Sequence, residues 1–347
     1  MLKHTREITI GSVKLGGDNP VLVQSMTNTD TRDVQATVAQ ILRLQQRGCE
    51  LIRSSVPDEA SAAALPDIIR QINIPLIADI HFDYRLAIAA MKNGAAAVRI
   101  NPGNVGGKEK ALEVICAAKD MGKAIRIGVN GGSLEADILK KQGRTAKALV
   151  DSAMRQLEYI EATGFTNYKV SLKASSVPLT VEACTLFAEQ CDIPQHIGVT
   201  EAGTVFSGTV KSAMGIGALL LKGIGSTLRV SLTAAPEEEL RVAWAILQAA
   251  GLRKRGAEVI SCPTCARTDI DIISLAEAVE ARLAESDKQI TVAVMGCVVN
   301  GPGEATEADY GIAGGKGVGL LFKKGQIIKK VAENELINEL MAMIEAE

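Results

Sequence analysis

Aromatic residues are scarce in this chain, only 3 % of 347 positions, with a single tryptophan, Trp244. Its interior must therefore be packed from alanine, valine, isoleucine and leucine, and hydrophobic residues still reach 47 %, ordinary for a globular protein. Long apolar runs are missing too. None approaches the roughly 18 residues of a membrane span, and the opening stretch Met1 to Glu7 lacks the apolar core of a signal peptide. The expected location is the cytoplasm, with no membrane partner. Nor is there an excess of charge of one sign: 38 Lys and Arg face 40 Asp and Glu. That near-balance speaks against a nucleic-acid protein held by phosphate charge. Seven cysteines are too few for a disulfide scaffold, and their odd number fits a reducing compartment. Cys49, Cys116 and Cys184 fall in helix-like stretches and Cys191 just beyond one, and all four are expected to act as small apolar side chains.

What the chain does contain is one repeated pattern up to about residue 250. Short β-branched runs end in a polar or glycine-containing turn and lead into an amphipathic helix. The runs are 21–26, 51–55, 76–81, 96–101, 125–130, 168–173, 196–201 and 227–232. Most spacings suit one strand and one crossover helix, and the longest has room for an extra helix near 134–141. Alternating strands and helices imply a parallel sheet with right-handed crossovers. Eight units in about 250 residues match the arithmetic of a (β/α)8 TIM barrel. An open doubly wound sheet is the alternative, but its Gly-x-Gly-x-x-Gly turn is absent: Gly215-Ile-Gly217 and Gly223-Ile-Gly225 lack the third glycine. A charged linker begins at Arg253. Beyond it the pattern becomes that of a small α+β domain, so the expected division is 1–252 and 253–347.

In such barrels the chemistry sits at the C-terminal ends of the strands. Those ends carry Arg53, Asp79 with His81, Arg99 with Asn101, Arg126 with Asn130, Lys173, Thr200 with Glu201, and Arg229 with Ser231. Buried strands should be nearly all apolar, so four arginines and a lysine at equivalent places need compensation. Each alone reads as a salt-bridged structural residue. Together they outnumber Asp79 and Glu201, which points to an anionic ligand, and guanidinium forks suit phosphate oxygens. The expected substrate carries at least two phosphoryl groups. Glu201 is either a partner for a neighbouring arginine or an acid beside the reacting carbon. His81 is equally open between a supporting and a substrate-contacting role.

In the second domain, Cys262-Pro-Thr-Cys265 is followed after 31 residues by Cys297. A structural zinc site would want a fourth Cys or His nearby, and all three histidines lie in the other domain. A redox-active Cys-x-x-Cys pair would leave Cys297 without a purpose. Three thiolates suit an iron–sulfur cluster with one iron left for another ligand, and Glu304 follows Cys297 by seven residues. Cluster, zinc and thiol chemistry remain the three readings at this point.

Several segments resemble the bacterial 4-hydroxy-3-methylbut-2-enyl diphosphate synthase family. They are Val23-Gln-Ser-Met-Thr-Asn-Thr, Ala78-Asp-Ile-His-Phe, Val98-Arg-Ile-Asn-Pro-Gly-Asn, Ser171-Leu-Lys-Ala-Ser, Gly198-Val-Thr-Glu-Ala-Gly, Ser261-Cys-Pro-Thr-Cys and Met295-Gly-Cys-Val-Val-Asn-Gly-Pro-Gly-Glu. The short linker resembles the family's compact two-domain form. The resemblance implies a [4Fe–4S] cluster on Cys262, Cys265, Cys297 and Glu304, with Glu304 the exchangeable ligand. It implies 2-C-methyl-D-erythritol 2,4-cyclodiphosphate as substrate, reductively opened and dehydroxylated with two electrons from flavodoxin or ferredoxin. The basic residues, with Asn130 and Ser231, would hold the diphosphate, and Glu201 would assist C–O cleavage. A non-enzyme reading, an iron–sulfur sensor with an anionic effector, would leave Glu201 unexplained. A zinc hydrolase is the enzymatic alternative.

The barrel geometry also implies a partner chain. The last barrel helix, roughly 14 residues or about 21 Å long, returns the chain to the face opposite the mouth. A linker of about six residues reaches at most about 20 Å. The simpler arrangement is a head-to-tail homodimer in which each cluster domain caps the other chain's barrel, with closure on substrate binding.

Overall fold

The computed structural model describes residues 2–346 apart from 133, 285, 287, 298–305 and 316. The chain divides into two compact units, Met1–Arg253 and Lys254–Glu347. Arg253 belongs with the first. Its guanidinium donates to Glu50 Oε2 at 2.7 Å and to the Val21 carbonyl at 2.8 Å, and lies 4.7 Å from the centre of the Trp244 ring.

The first unit holds eight parallel strands: β1 (Leu22–Met26), β2 (Leu51–Ser55), β3 (Leu76–Asp79), β4 (Ala97–Ile100), β5 (Ala124–Asn130), β6 (Tyr168–Lys173), β7 (His196–Ile197) and β8 (Thr227–Leu228). They pair in the order β6-β5-β4-β3-β2-β1-β8-β7. A parallel bridge between Val170 and Gln195 joins the two ends and closes the barrel. The expected runs 196–201 and 227–232 are ladder-paired only over their first two residues. Beyond that the chain is tied by single bonds, Arg229 N–H to the Ile197 carbonyl at 3.1 Å and Thr200 N–H to the Ala174 carbonyl at 3.2 Å.

Helices α1 (Val34–Gln46), α2 (Glu59–Ile69), α3 (Tyr84–Lys92), α4 (Lys108–Asp120), α5 (Ala136–Gln142), α6 (Ala146–Glu161), α7 (Val177–Gln190), α8 (Val205–Leu221) and α9 (Pro236–Ala249) surround them. α5 is the extra helix in the longest spacing. Asp33, Asp58, Asp83, Thr145 and Ser176 each accept a backbone N–H of the helix they precede. Those caps hold the first turns that the missing intrahelical bonds would leave open.

Side chains alternate across each strand. On β5, Ile125, Ile127 and Val129 join the apolar layer beneath the helices, which leaves Arg126, Gly128 and Asn130 pointing inward. The same period places Gln24, Arg53, Asp79, Arg99, Lys169, His196 and Thr227 in the lumen. Its lower end is apolar: Leu22, Leu51, Ile77, Ala97 and Ala124 pack against Ile8, Ile10 and Leu15. Those last three sit on an antiparallel hairpin, Ile8–Ile10 and Val13–Leu15, that the strand count did not include. This plug closes one end, so the polar lumen opens at the other.

Two cysteine expectations need correction. Cys49 lies in the turn after α1, tied back by its N–H to the Leu44 carbonyl, and Cys116 is exposed on α4 instead of packed.

The second unit has a five-stranded sheet: β9 (Glu258–Ser261), β10 (Thr291–Met295), β11 (Tyr310–Gly315), β12 (Val318–Lys323) and β13 (Gln326–Ala332), in sequence order. The first three run parallel and the last two pairings are antiparallel. Helices α10 (Ile272–Leu283) and α11 (Leu336–Glu345) bring Ile272, Val279, Leu283, Leu340 and Ile344 onto Val292, Val294 and Ile312. β11 is glycine-rich because its neighbours leave no room: a Cβ on Gly311 would come 2.2 Å from the Phe322 ring. No helix among the described residues is long and apolar enough to cross a membrane.

Candidate functional site

The lumen gathers basic groups in adjacent registers. Asp79, Arg99 and Arg126 stand side by side on β3, β4 and β5, and Lys169 continues the row on β6. Asn130 and Lys173 pair two inward rows further up, beyond Gly128 and Ser171. Asp79 is the central anion, 2 % exposed. Its Oδ1 accepts from Arg99 Nη1 at 3.3 Å, its Oδ2 lies 3.5 Å from Arg53 Nε, and His81 Nε2 stands 3.7 Å away. Burial raises its pKa, but Arg53, Arg99 and Arg126 outweigh that and hold the carboxyl below its usual range.

The second anion is not the one expected. Glu201 is exposed, at φ 53°, and pairs with no described arginine. Arg229 is held instead by Glu239 of α9, through contacts of 3.2–3.4 Å, and Glu239 also accepts the Leu232 N–H at 3.0 Å. The acidic triplet at the start of α9 reads in sequence as helix-terminus charge, which hid this role. Met26 was missed as well. Its sulfur accepts from Arg53 at 2.9 and 3.3 Å and from Arg229 at 3.7 Å, a neutral acceptor between two guanidiniums.

Six basic side chains (Arg53, Arg99, Arg126, Lys169, Lys173 and Arg229) thus share two buried carboxylates. Arg126 has the strongest unmet demand, being 4 % exposed with Nε and Nη1 lacking any hydrogen-bond partner. Burial and the repulsion of Arg53 and Arg99 hold its pKa well below normal. Arg53 is pushed down to about 10, mainly by burial, against the pull of Asp79. Lys173 is lowered by burial and by Arg126, Arg53 and Arg229. Glycine at 198 permits its position, since a Cβ there would meet Lys173 Nζ at 2.7 Å and the Arg229 carbonyl at 2.5 Å. Arg99 Nε, Asn101 Nδ2 and Thr200 Oγ1 add further buried polar atoms without partners. Asn101 and Asn130 use their Oδ1 atoms to accept the Gly103 and Gly132 N–H groups. Ser231 is half-buried beyond Arg229. Groups of this kind, aimed inward around excess positive charge, suit a polyanion with many acceptor oxygens.

In the second unit, Cys262 follows β9 and Cys297 lies two residues beyond β10. The parallel register Ser261–Val294 sets these strand ends side by side. The Gly296 N–H, adjacent to Cys297, donates to Cys262 Sγ at 3.2 Å. Cys265 is exposed, and the Arg267 N–H and side chain hold its thiol below the usual pKa. Glu304 lies outside the described residues. Among the described residues no three Cys, His, Asp or Glu side chains surround a single metal ion. A multi-iron cluster is bound from outside by ligands on separate irons. Two neighbouring strand-end cysteines, an N–H donated to sulfur and a third, acidified thiol are chemically suited to it.

Fold and site together define a (β/α)8-barrel enzyme with a cation-lined mouth, joined to a cysteine-bearing α+β domain. Residues 5–244 match the GcpE TIM-barrel domain and residues 258–346 the GcpE protein C-terminal domain. The chain belongs to the GcpE family of bacterial 4-hydroxy-3-methylbut-2-en-1-yl diphosphate synthases. The relative of that name, flavodoxin type, from Caldanaerobacter subterraneus subsp. tengcongensis is 58 % identical over 346 residues, 99 % of this chain and 98 % of that protein. Those of Geobacter sulfurreducens and Clostridium perfringens are 55 % and 54 % identical, each over 99 % of this chain and 98 % and 99 % of their own length. Among solved structures, Yersinia pestis dihydropteroate synthase superposes with a TM-score of 0.51 over 72 % of this chain and 99 % of that one, at 12 % identity. That likeness concerns the barrel fold alone.

Proposed function

We propose that the protein reductively opens and dehydroxylates 2-C-methyl-D-erythritol 2,4-cyclodiphosphate, giving 4-hydroxy-3-methylbut-2-en-1-yl diphosphate. One ring C–O bond breaks and one hydroxyl oxygen leaves as water, balanced by two electrons and two protons. The observation that carries the reading is the unmet donor set of Arg126 inside a mouth where cations outnumber carboxylates. Arg53, Arg99, Arg126, Lys173 and Arg229 would neutralise the diphosphate, with Asn101, Asn130, Thr200 and Ser231 as neutral contacts. Asp79 would keep Arg53 and Arg99 ionised and aimed, and His81, within reach of Asp79, would close one side. Glu201, exposed and unpaired, is placed in this reading to deliver a proton to the departing oxygen.

Cys262, Cys265 and Cys297 would hold a [4Fe–4S] cluster, with Glu304 as the exchangeable fourth ligand. When bound, the cluster supplies the two electrons, drawn from flavodoxin as the relatives' names state, or from ferredoxin, in the cytoplasm. The barrel would act with the cluster domain of a second copy in a head-to-tail homodimer. Anaerobic turnover of the cyclodiphosphate with reduced flavodoxin tests the reaction. Mixing a Cys262→Ser chain with a Glu201→Gln chain tests the arrangement. Partial recovery of activity is expected, because mixed dimers contain one intact pair of sites; no recovery would place cluster and substrate within one chain.

A further inference from the structure

Below the mouth the lumen holds polar groups that the proposed reaction does not use. Lys169 is 1 % exposed, and its one hydrogen bond among the described residues runs from Nζ to Thr227 Oγ1 at 3.1 Å. The same hydroxyl lies 2.9 Å from His196 Nδ1, and His196 is fully buried. Accepting from Lys169, Thr227 has its own hydrogen left for Nδ1. That places the imidazole proton on Nε2, which has no partner.

The charged groups facing Lys169 are of one sign: Arg126 in register beside it on β5 and Arg53 on β2. His196 faces both of these and Lys173 as well. The two inward carboxylates are engaged elsewhere, Asp79 with Arg53 and Arg99, and Glu239 with Arg229. An ammonium buried against one neutral hydroxyl and two guanidiniums is poorly solvated and repelled, so its proton is held weakly.

We infer that Lys169, bridged through Thr227 to His196, is a proton acceptor coupled to anion binding: a polyanion seated at the mouth draws one proton from solvent onto this buried network. The inference rests on the anion-binding reading of the mouth. Its logic is electrostatic reciprocity. Negative charge above Arg126 offsets the repulsion that keeps Lys169 neutral, and the ammonium that forms adds a further cation beneath the phosphates. Burial and the neighbouring cations hold both Lys169 and His196 well below their ordinary pKa values. The sign follows. The bound state has the higher pKa, so affinity is constant below the unliganded value. It then falls by about tenfold per pH unit up to the liganded one. Lys169 is therefore a positioning residue, acting through the field at Arg126 and not by contact with substrate.

Calorimetric titration of the folded holoenzyme with inorganic pyrophosphate, in buffers of differing ionisation enthalpy, counts the protons exchanged. Proton release by the pyrophosphate itself is common to all variants and drops out of their difference. The wild-type protein should take up close to one proton more than Lys169→Met, and its affinity should fall more steeply with rising pH. Lys169→Arg, charged at all pH values, should bind without that extra uptake and keep its affinity at high pH. Thr227→Val serves as a second probe should Lys169→Met fold poorly, and should shift the pH at which uptake occurs. Equal proton counts in wild type and Lys169→Met would overturn the inference while leaving the mouth as an anion site. Failure of pyrophosphate to bind the wild-type protein would overturn the mouth reading itself, and the inference with it.

Discussion

Replacing Arg126 by alanine is expected to raise KM steeply and to leave the fold at least as stable. The two effects have one cause. Arg126 is buried with two donor nitrogens unsatisfied and stands among other cations, so in the unliganded protein it is a net burden. Its removal relieves repulsion with Arg53 and Arg99, and Tm should stay or rise. With the diphosphate in place the same nitrogens become charge-assisted donors. Losing such a contact costs about 2–5 kcal/mol, roughly 30-fold to several-thousand-fold in kcat/KM. Lys173→Ala should follow the same pattern. Arg229→Ala differs in kind, because Glu239, 5 % exposed, would be left as a buried uncompensated carboxylate. That variant should lose stability as well as affinity. Thermal melts beside steady-state kinetics separate the two classes, and an Arg126→Ala protein that melts early with normal KM would return the mouth to a structural role.

The second large effect is at Glu201. Changing it to glutamine should reduce kcat by about 10²–10⁴-fold, the usual contribution of a positioned acid, with KM little changed and any cluster absorption intact. The side chain is exposed and supports nothing around it, so stability should move by less than about 0.5 kcal/mol. Its backbone, at φ 53°, sits in the left-handed region that non-glycine residues seldom occupy. A carboxylate kept there without a structural partner fits a chemical purpose. Loss of the cluster spectrum in Glu201→Gln would show that the residue serves the fold instead.

The barrel was legible because its strands break the rule for buried strands in a regular way. An arginine or lysine near the end of strand after strand is visible in sequence, and so is its location once the β/α alternation is counted. The middle of the lumen is legible in principle, since two inward positions back, four residues, from Thr200 and Lys173 lie His196 and Lys169. Glu239 could not be read, because its partner Arg229 is met only through the packing of α9 against the barrel. The hairpin at Ile8–Leu15 and strand β13 escaped because they are short or mostly exposed. The β12–β13 turn did leave a trace in Lys324-Gly325, both at positive φ as a two-residue hairpin requires. β11 escaped because its glycines argue against a strand until Phe322 and Ile270 are seen filling the space above them.

A phosphate-gripping barrel that works with an iron–sulfur centre on three cysteines is checked most directly by the metal content and visible spectrum of protein purified without oxygen. The protein should be brown, with four irons and four sulfides per chain, and should lose its colour in Cys262→Ser, Cys265→Ser and Cys297→Ser alike. Colourless protein containing one zinc per chain, and still active, would contradict this.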